Sequence, residues 1–278
     1  MLRLLQIELH KLRYSRSAKI LILTYFILIT FIALIASIEF NLGPIHFKLA
    51  DQGIFNFPFI WHFNSYIAAL LKLFLAIVIV SMMSNEYSNR TLKQNLIDGL
   101  SKKEFVLSKF ITVLLFAVIS TFFLLIVSLI LGYSFSDFTE LSIVFSDMEY
   151  IVGYFIKLLG FFSMCMFIGI LIKRSAFALG FLFIWWIFEG ILYGVLNFKV
   201  FRDSHIPENI MQFFPLTAMS NLVVEPFSRL NFIKTAATQI GEELDKDYGV
   251  HWYQLLIVIV WTVLFVYLSL ALLRKRDL

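Results

Sequence analysis

One polar segment interrupts the apolar pattern of this chain: residues 85–105 read NEYSNRTLKQNLIDGLSKKEF. The runs on either side of it, 66–84 and 105–131, are predominantly apolar. Two apolar runs of this length, separated by a short polar stretch, predict two membrane spans joined by a loop at one membrane surface. The segment therefore indicates a polytopic membrane protein.

The composition excludes an ordinary soluble protein. Of the 278 residues, 60% are hydrophobic and 15% are charged, whereas soluble domains carry about 25% charged residues. A soluble fold has too little interior to bury this much apolar surface. The net charge of +4 does not indicate nucleic-acid binding, because the basic residues lie at the ends of apolar runs. Cys165 is the single cysteine, which excludes an internal disulfide and a cysteine-based zinc site.

Six apolar runs are long enough to cross a membrane, for which a helix needs about 20 residues. They do not alternate between apolar and polar residues, so barrel strands are excluded. We expect an all-α polytopic membrane protein with six transmembrane helices in one domain, 1–278, and close helix packing at the glycines of the fourth span, Gly153, Gly160 and Gly169. The predicted spans are 20–40, 66–84, 105–131, 150–172, 176–196 and 253–273.

The basic residues orient these spans, because lysine and arginine accumulate in cytoplasmic loops. The opposite side is poorer: Lys48 is the only basic residue in its first loop, and 132–149 contains none. We expect both termini in the cytoplasm and a bacterial inner membrane as the location. The basic residues on the predicted cytoplasmic side are Arg3, Lys11, Arg13, Arg16, Lys19, Arg90, Lys93, Lys102, Lys103, Lys173, Arg174, Arg274, Lys275 and Arg276.

The segment 1–19 is predicted to form a helix that lies in the membrane plane. One side carries leucines and the other carries polar residues at helical spacing, which is typical of interfacial helices. The alternative is that this segment simply extends the first span. The apolar row is Leu2, Leu5, Leu9 and Leu12, and the polar row is Arg3, Gln6, His10 and Arg13.

The polar segment predicts a short amphipathic helix at 88–100. Ser88 or Asn89 is suited to cap its start, and Gly99 is suited to the left-handed position that ends a helix. Its leucines recur every four residues and form one apolar stripe, which we expect to be available to a partner: Leu92, Leu96 and Leu100.

A second helix start follows immediately. Ser101 and Glu104 have the spacing of a capping box, and they fall where hydropathy places the start of the third span. The alternative is a solvated loop that only connects two spans. A connector, however, needs neither a second amphipathic helix nor an apolar stripe.

This segment resembles the cytoplasmic signature of type-2 ABC transporter permeases, the ABC-2 type. The layout of the chain is similar too, with an N-terminal interfacial helix, six spans and a long last outer loop. Two positions depart from the pattern: Arg90 stands where glycine is usual, and Gly99 stands near the usual proline. The matching positions are Glu86, Thr91-Leu92-Lys93, Leu96-Ile97, Leu100-Ser101-Lys102, Phe105 and Lys109.

The resemblance implies a function and partners. In that family two six-span permease units pair, each docks on a separate ATP-binding subunit, and the helix after the second span is the coupling helix. ATP and Mg²⁺ would then be bound by the partner, and this chain, which has no Walker A pattern, would be a permease without catalytic, cofactor or metal sites. Glu86 would pair with a nearby basic residue. The implied ATPase-coupling residues are Glu86, Arg90, Thr91, Leu92, Lys93, Leu96 and Leu100.

The last outer loop, 197–252, is too long for a bare connector. Pro215 and Pro226 interrupt mixed apolar and polar sequence there. We expect short helices that re-enter the outer leaflet, as the resembling permeases have near the substrate exit. An extracellular subdomain without a role in transport is the alternative.

Three charged residues lie six or more residues inside the ends of predicted spans: Lys72, Lys157 and Glu189. From the helical rise, each is expected about 9–12 Å below the outer boundary. Ionisable residues at such depth are candidates for function. We hypothesise that Glu189 pairs with Lys157 or Lys72 and lines the transport pathway. The alternative for the two lysines is that they extend to lipid phosphates.

Histidines on the predicted outer side raise the question of a metal site. No pair of them has the i, i+3 or i, i+4 spacing of helical metal ligands, so no metal site is predicted. They are His46, His62, His205 and His251.

The favoured function is a permease subunit of an ATP-binding-cassette transporter that exports a lipid, a peptide or another amphipathic substrate. The alternatives are an autonomous secondary transporter or channel, and a structural subunit of a membrane complex. The sequence shows no internal repeat, and no proline lies within a span, so the features expected of many secondary transporters are missing.

Overall fold

The computed structural model describes residues 2–37, 39–42, 45–48, 53–201, 206–230, 233–234, 238 and 246–276. A π turn at Leu196–Val200 and a 3₁₀ turn at Phe227–Arg229 accompany the regular elements. These elements are α1 (Leu2–Tyr14), α2 (Arg16–Ser37), β1 (Glu39–Leu42), β2 (Ile45–Lys48), α3 (Phe59–Leu70), α4 (Lys72–Ser88), α5 (Thr91–Ile97), α6 (Lys102–Phe135), α7 (Leu141–Val144), α8 (Glu149–Ile172), α9 (Ser175–Val195), α10 (Ile206–Met211), α11 (Pro215–Asn221) and α12 (Trp252–Lys275).

The helices agree with the predicted spans. Within the described residues, α6, α8, α9 and α12 are each long and apolar enough to cross a membrane, and the number of spans reaches six when two bent helix pairs each count as one. These pairs are α1 with α2, which meet at 88°, and α3 with α4, which meet at 42°. The prediction of an all-α polytopic membrane protein is confirmed.

The junction between α1 and α2 lies at Ser15. Its backbone N–H donates to Lys11 O over 3.1 Å, which ends α1. Its Oγ accepts from the backbone N–H of Ala18 over 3.3 Å, which caps the start of α2. Because the two helices stand at 88°, α1 does not extend the first span in a straight line.

The first span ends earlier than predicted. Helix α2 stops at Ser37, and β1 then pairs with β2 in an antiparallel ladder that aligns Glu39 with Lys48. The expected helix to residue 40 is therefore wrong at its end. The reason is local: Glu39-Phe40-Asn41-Leu42 alternates polar and apolar residues, which favours a strand.

The second span starts earlier than predicted, at Phe59 rather than at residue 66. Polar residues lower the hydropathy of this stretch, but the bundle supplies partners for them. His62 Nε2 lies 2.9 Å from Val224 O, and Asn64 Nδ2 donates to Ser128 Oγ over 2.9 Å. Buried polar groups with partners are tolerated in a bundle, so the helix includes them.

Helix α8 lies at the centre and packs against α3, α4, α6, α9 and α12. Its glycines allow this, as predicted. A Cβ on Gly169 would lie 2.8 Å from Met83 Cβ, and a Cβ on Gly160 would lie 2.7 Å from Val258 Cγ1. Side chains at these positions would therefore force neighbouring helices apart.

The last loop contains the predicted short helices, α10 and α11 and the 3₁₀ turn. Helix α11 packs against α8, α9 and α12. It therefore lies among the spans, in agreement with the expectation of a re-entrant helix.

Candidate functional site

A buried group of charges lies at one end of the bundle, which we call the basal face: the end formed by α1, α5, the start of α6 and the ends of α8 and α12. Lys109 of α6 has no exposed side-chain surface, and its Nζ lies 2.6 Å from Glu86 Oε1 and 2.5 Å from Glu8 Oε2. Lys11 Nζ lies 2.7 Å from the same Glu86 oxygen. Thr91 Oγ1 donates to Glu86 Oε2 over 2.6 Å. We call these five residues the basal ion cluster.

The basal ion cluster balances its own charge, with two carboxylates against two ammonium groups. Lys11 is part-exposed, with 38% of its side chain accessible, whereas Glu86 is 3% exposed. Burying charges is costly unless each has a close partner, and removing one partner of a buried pair costs about 3–5 kcal/mol. The cluster therefore holds α1, α4 and α6 in one fixed arrangement.

Helix α5 is attached to this cluster at its first residue, through the bond from Thr91 to Glu86. The chain enters α5 through Arg90, which has a left-handed backbone with φ of 55°. It leaves through Gly99, whose φ is 95°, as the sequence predicted. Leu100 N then donates to Asn95 O over 3.0 Å, which satisfies a carbonyl at the end of the helix.

The expected cap of α5 at Ser88 or Asn89 is wrong. Helix α4 continues through Ser88, whose Oγ donates to Ser84 O over 3.2 Å. Arg90 occupies the N-cap position without a side-chain capping bond. The contact made by Glu86 is with the Thr91 hydroxyl, and it ties the first residue of α5 to the last turn of α4.

The leucine stripe of α5 faces the bundle. Leu92 is 2% exposed, and Leu96 and Leu100 pack against the hydrophobic core. The prediction that this stripe is available to a partner is therefore wrong: the membrane domain itself uses it. The exposed face of α5 consists instead of Arg90, Lys93, Gln94, Ile97 and Asp98, with Ile97 76% exposed.

The predicted capping box at the start of α6 is confirmed. Ser101 Oγ accepts from Glu104 N over 3.2 Å, and Ser101 N donates to Glu104 Oε2 over 3.0 Å. Hydrogen bonds of this reciprocal kind fix the direction in which a helix leaves a turn. The short α5 is thus held at both ends, by the basal ion cluster before it and by the capping box after it.

A second set of contacts joins other helix ends at the basal face. Arg276, which follows α12, donates to Ile170 O over 2.6 Å and to Leu171 O over 2.9 Å, both at the end of α8. Lys102 Nζ in turn donates to Arg276 O over 2.9 Å. These contacts were not predicted, because the sequence offered only a topological reading of the basic residues after the last span.

A family model described as ABC-2 family transporter protein matches residues 32–274. The chain belongs to the ABC-2 transporter family. No curated protein matches the chain. As an ABC-2 permease, the chain is a multi-pass membrane subunit without an ATPase site of its own, and the family works with an ABC ATP-binding subunit.

The part of this ABC-2 permease that matches the family begins within α2. Glu8 and Lys11 therefore lie outside the matched region, although both belong to the basal ion cluster. Glu8 was not predicted as a site residue, and Lys11 was predicted only to contribute to membrane orientation. A signal was present: Glu8 is the one acidic residue among residues 1–37.

The hypothesis that Glu189 pairs with Lys157 or Lys72 is wrong. The Glu189 carboxylate, which is 3% exposed, accepts the indole N–H of Trp185 over 2.8 Å. It also accepts the backbone N–H groups of Leu216 over 3.1 Å and of Thr217 over 2.8 Å, as well as the Thr217 hydroxyl. The start of α11 has free N–H groups and a partial positive charge, so it takes the carboxylate that the lysines were expected to bind.

Lys157 binds the opposite end of the same short helix. Its Nζ donates to Ser220 O over 3.3 Å and to Val223 O over 3.0 Å. Carbonyl groups at the end of a helix are partly negative, so Glu189 and Lys157 together complement the two ends of α11. Lys72 takes no part, since its Nζ lies over the ring of Phe161, 4.5 Å from the centroid.

Both ring nitrogens of His62 are hydrogen-bonded within the protein. Its Nε2 donates to Val224 O, since a carbonyl only accepts, and its Nδ1 accepts from Arg229 Nη1 over 3.2 Å. Its ring stacks on Tyr150 with centroids 4.3 Å apart. His251 is paired with Asp247 over 2.7 Å. The His46 side chain and His205 lie outside the described residues.

Proposed function

We propose that this chain is the permease subunit of an exporter in a bacterial inner membrane, driven by a separate ATPase that docks on the exposed face of α5. ATP and Mg²⁺ would be bound by that ATPase. A second permease subunit, of the same or a homologous chain, would complete the pathway for a lipid, a peptide or another amphipathic substrate. The basal face would be cytoplasmic, with both termini on that side and α1 at the inner membrane surface.

The observation that carries the proposal is the division of α5 into two faces. One face is bonded to the bundle through Thr91 and Leu92. The other exposes Ile97 together with Lys93 and Gln94. These side chains form the surface of α5 that the bundle does not use, and this is the surface that we assign to the ATPase.

Force applied to α5 would reach three other helices. Glu86 links the first residue of α5 to α4, Lys109 links Glu86 to α6, and Glu8 links Lys109 to α1. Because these charges are buried and closely paired, the cluster resists distortion more than a solvated loop would. Closure of the ATPase subunits would therefore move helices rather than a flexible connection.

The test is affinity purification of the chain from its native membrane in a mild detergent, with mass spectrometry of the proteins that remain bound. We expect a stoichiometric companion that carries a Walker A motif, and we expect Ile97→Asp to remove it. The control is Leu141→Asp, since Leu141 is 67% exposed and precedes α8, away from the basal face.

Loss of the companion with Ile97→Asp but not with Leu141→Asp would support both the transporter function and the docking face. A companion that is absent from the unmodified chain would favour an autonomous transporter or a structural subunit. A companion that survives Ile97→Asp would place the docking surface elsewhere.

A further inference from the structure

Lys72 lies halfway along the bent second span. It stands 13 residues after Phe59, where α3 begins, and 14 residues before Glu86 of the basal ion cluster. At 1.5 Å per residue this is about 20 Å from either end, measured along the helices. Lysines reach the membrane surface only from positions near helix ends. The earlier start of the span therefore places Lys72 farther from a helix end than the sequence predicted, which counts against the explanation that it extends to lipid phosphates.

The Lys72 ammonium has no protein acceptor among the residues that the structure describes. Its contact is the face of the Phe161 ring, at 4.5 Å from Nζ to the centroid. A ring face attracts a cation, but it leaves the three N–H donors of an ammonium without hydrogen bonds. An ammonium at this depth is costly unless a partner compensates for it.

The surroundings of Lys72 are positive. Lys157 lies one helical turn from Phe161, the residue whose ring Lys72 contacts, and its own donors are taken by Ser220 O and Val223 O. Glu189, the acid that was predicted as a partner of Lys72, is hydrogen-bonded to α11 instead. Each of these features favours an anion.

The same place is accessible from outside the bundle. Leu70 and Leu73, on either side of the break between α3 and α4, are 56% and 58% exposed. Lys72 itself is partly exposed. An anionic group can therefore approach the ammonium from the apolar surroundings of the bundle without opening the core.

We propose that Lys72 binds the anionic group of a ligand, a phosphate or a carboxylate, at the middle of the membrane. With the proposed export function, on which this second step rests, the substrate class is an anionic amphiphile whose charged group meets Lys72 during its passage. Lys157 strengthens the positive field, and the apolar surface around Leu70 and Leu73 receives the hydrophobic part of the same ligand.

The experiment measures ligand binding to the purified full-length chain in dodecyl maltoside, from the shift in its thermal unfolding midpoint. The probes are dioctanoyl phosphatidylglycerol, which is anionic, dioctanoyl phosphatidylcholine, which is zwitterionic, and inorganic phosphate. The variants are Lys72→Met, which removes the charge at similar length, and Lys72→Arg, which keeps it. Lys19→Met is the matched control, because Lys19 is an exposed lysine at the start of the first span.

We expect phosphatidylglycerol to raise the midpoint by several degrees in a saturable manner in the unmodified chain, in Lys72→Arg and in Lys19→Met. Lys72→Met is expected to lose this shift, and Lys72→Gln replaces it if the methionine variant does not fold. A shift with phosphatidylglycerol alone identifies a lipid-borne anion as the ligand. An additional shift with inorganic phosphate shows that the anionic group suffices.

An equal response to phosphatidylcholine, or a full response of Lys72→Met to phosphatidylglycerol, would overturn the proposal. The measurement requires no ATPase, so it is independent of the docking test. If the lipid binds at Lys72 and no Walker A companion is found, the proposed function fails and the anion site stands. If the companion is found and Lys72→Met still responds to the lipid, the site fails and the function stands.

Discussion

Arg90 adopts a backbone conformation that suits glycine better than arginine. Its φ of 55° lies in the left-handed region, where a side chain collides with its own backbone at a cost of about 1–2 kcal/mol. The permease signature that this segment resembles has glycine at this position, and glycine adopts such a φ without strain.

Arg90→Gly is therefore expected to stabilise the protein, by about 0.5–1 kcal/mol, because glycine adopts this φ without strain but gains freedom in the unfolded chain. The matched change is Gln94→Gly, at an exposed position inside α5, which we expect to cost about 0.5–1 kcal/mol. Thermal unfolding of the purified variants checks both. A loss of stability in Arg90→Gly equal to that in Gln94→Gly would contradict the argument from backbone strain.

At the scale of an element, α11 shows how a short polar helix is held among apolar spans. Seven residues are too few for a stable isolated helix. Glu189 binds its first N–H groups, and Lys157 binds carbonyls at and just beyond its end. The charges inside the spans therefore stabilise a re-entrant element, and only Lys72 is left without such a role.

Glu189→Gln is expected to release α11. Each oxygen of the Glu189 carboxylate accepts hydrogen bonds from two donors. In glutamine one of these oxygens becomes an NH₂ group, which cannot accept, so two of the four hydrogen bonds are lost. The measurement is maleimide labelling of Ala218→Cys, a position on α11 that is 3% exposed. The native Cys165 is fully buried and provides a low background. We expect the labelling rate to rise severalfold in Glu189→Gln.

Glu140→Gln is the control for this experiment, since Glu140 is an exposed acid just before α7. Ala218→Cys combined with Glu140→Gln should be labelled at the same rate as Ala218→Cys alone. Unchanged labelling of Ala218→Cys in the presence of Glu189→Gln would show that α11 is held by its apolar packing alone.

At the scale of the whole molecule, the basal ion cluster determines how the helices are assembled. Lys109→Met is expected to cost about 3–5 kcal/mol, because it leaves Glu8 and Glu86 buried beside each other with only the part-exposed Lys11 to compensate. The readouts are the thermal unfolding midpoint and the yield of monodisperse protein. Lys103→Met, at an exposed position in the first turn of α6, should change neither.

A second variant separates lost charge pairing from lost packing. Lys109→Met combined with Glu86→Gln should lose less stability than the sum of the two single changes, because each single change leaves the other charge without its partner. Additive losses would mean that the two residues act independently, in conflict with the 2.6 Å distance between Nζ and Oε1.

Much of the architecture could be predicted because it is encoded locally. Hydropathy located the spans, the polar and apolar rows of 1–19 predicted α1, and Gly99 with Ser101 and Glu104 defined the turn between α5 and α6. The failures have physical reasons as well. The end of α2 was misplaced because hydropathy alone does not register the alternation of polar and apolar residues at Glu39–Leu42. The start of α3 was misplaced because the polar His62 and Asn64 were counted without the partners that the bundle provides for them.

The sequence by itself thus determined which segments are helical, where they turn and which of them are apolar enough for a membrane, because these properties depend on residues within one or two helical turns. Only the tertiary structure decided which charges meet and which face of α5 stays exposed. Lys109 meets Glu86 across 23 residues and Glu8 across 101, and Glu189 meets Thr217 across 28. Pairings over such separations depend on how the helices pack, and they cannot be derived from local periodicity.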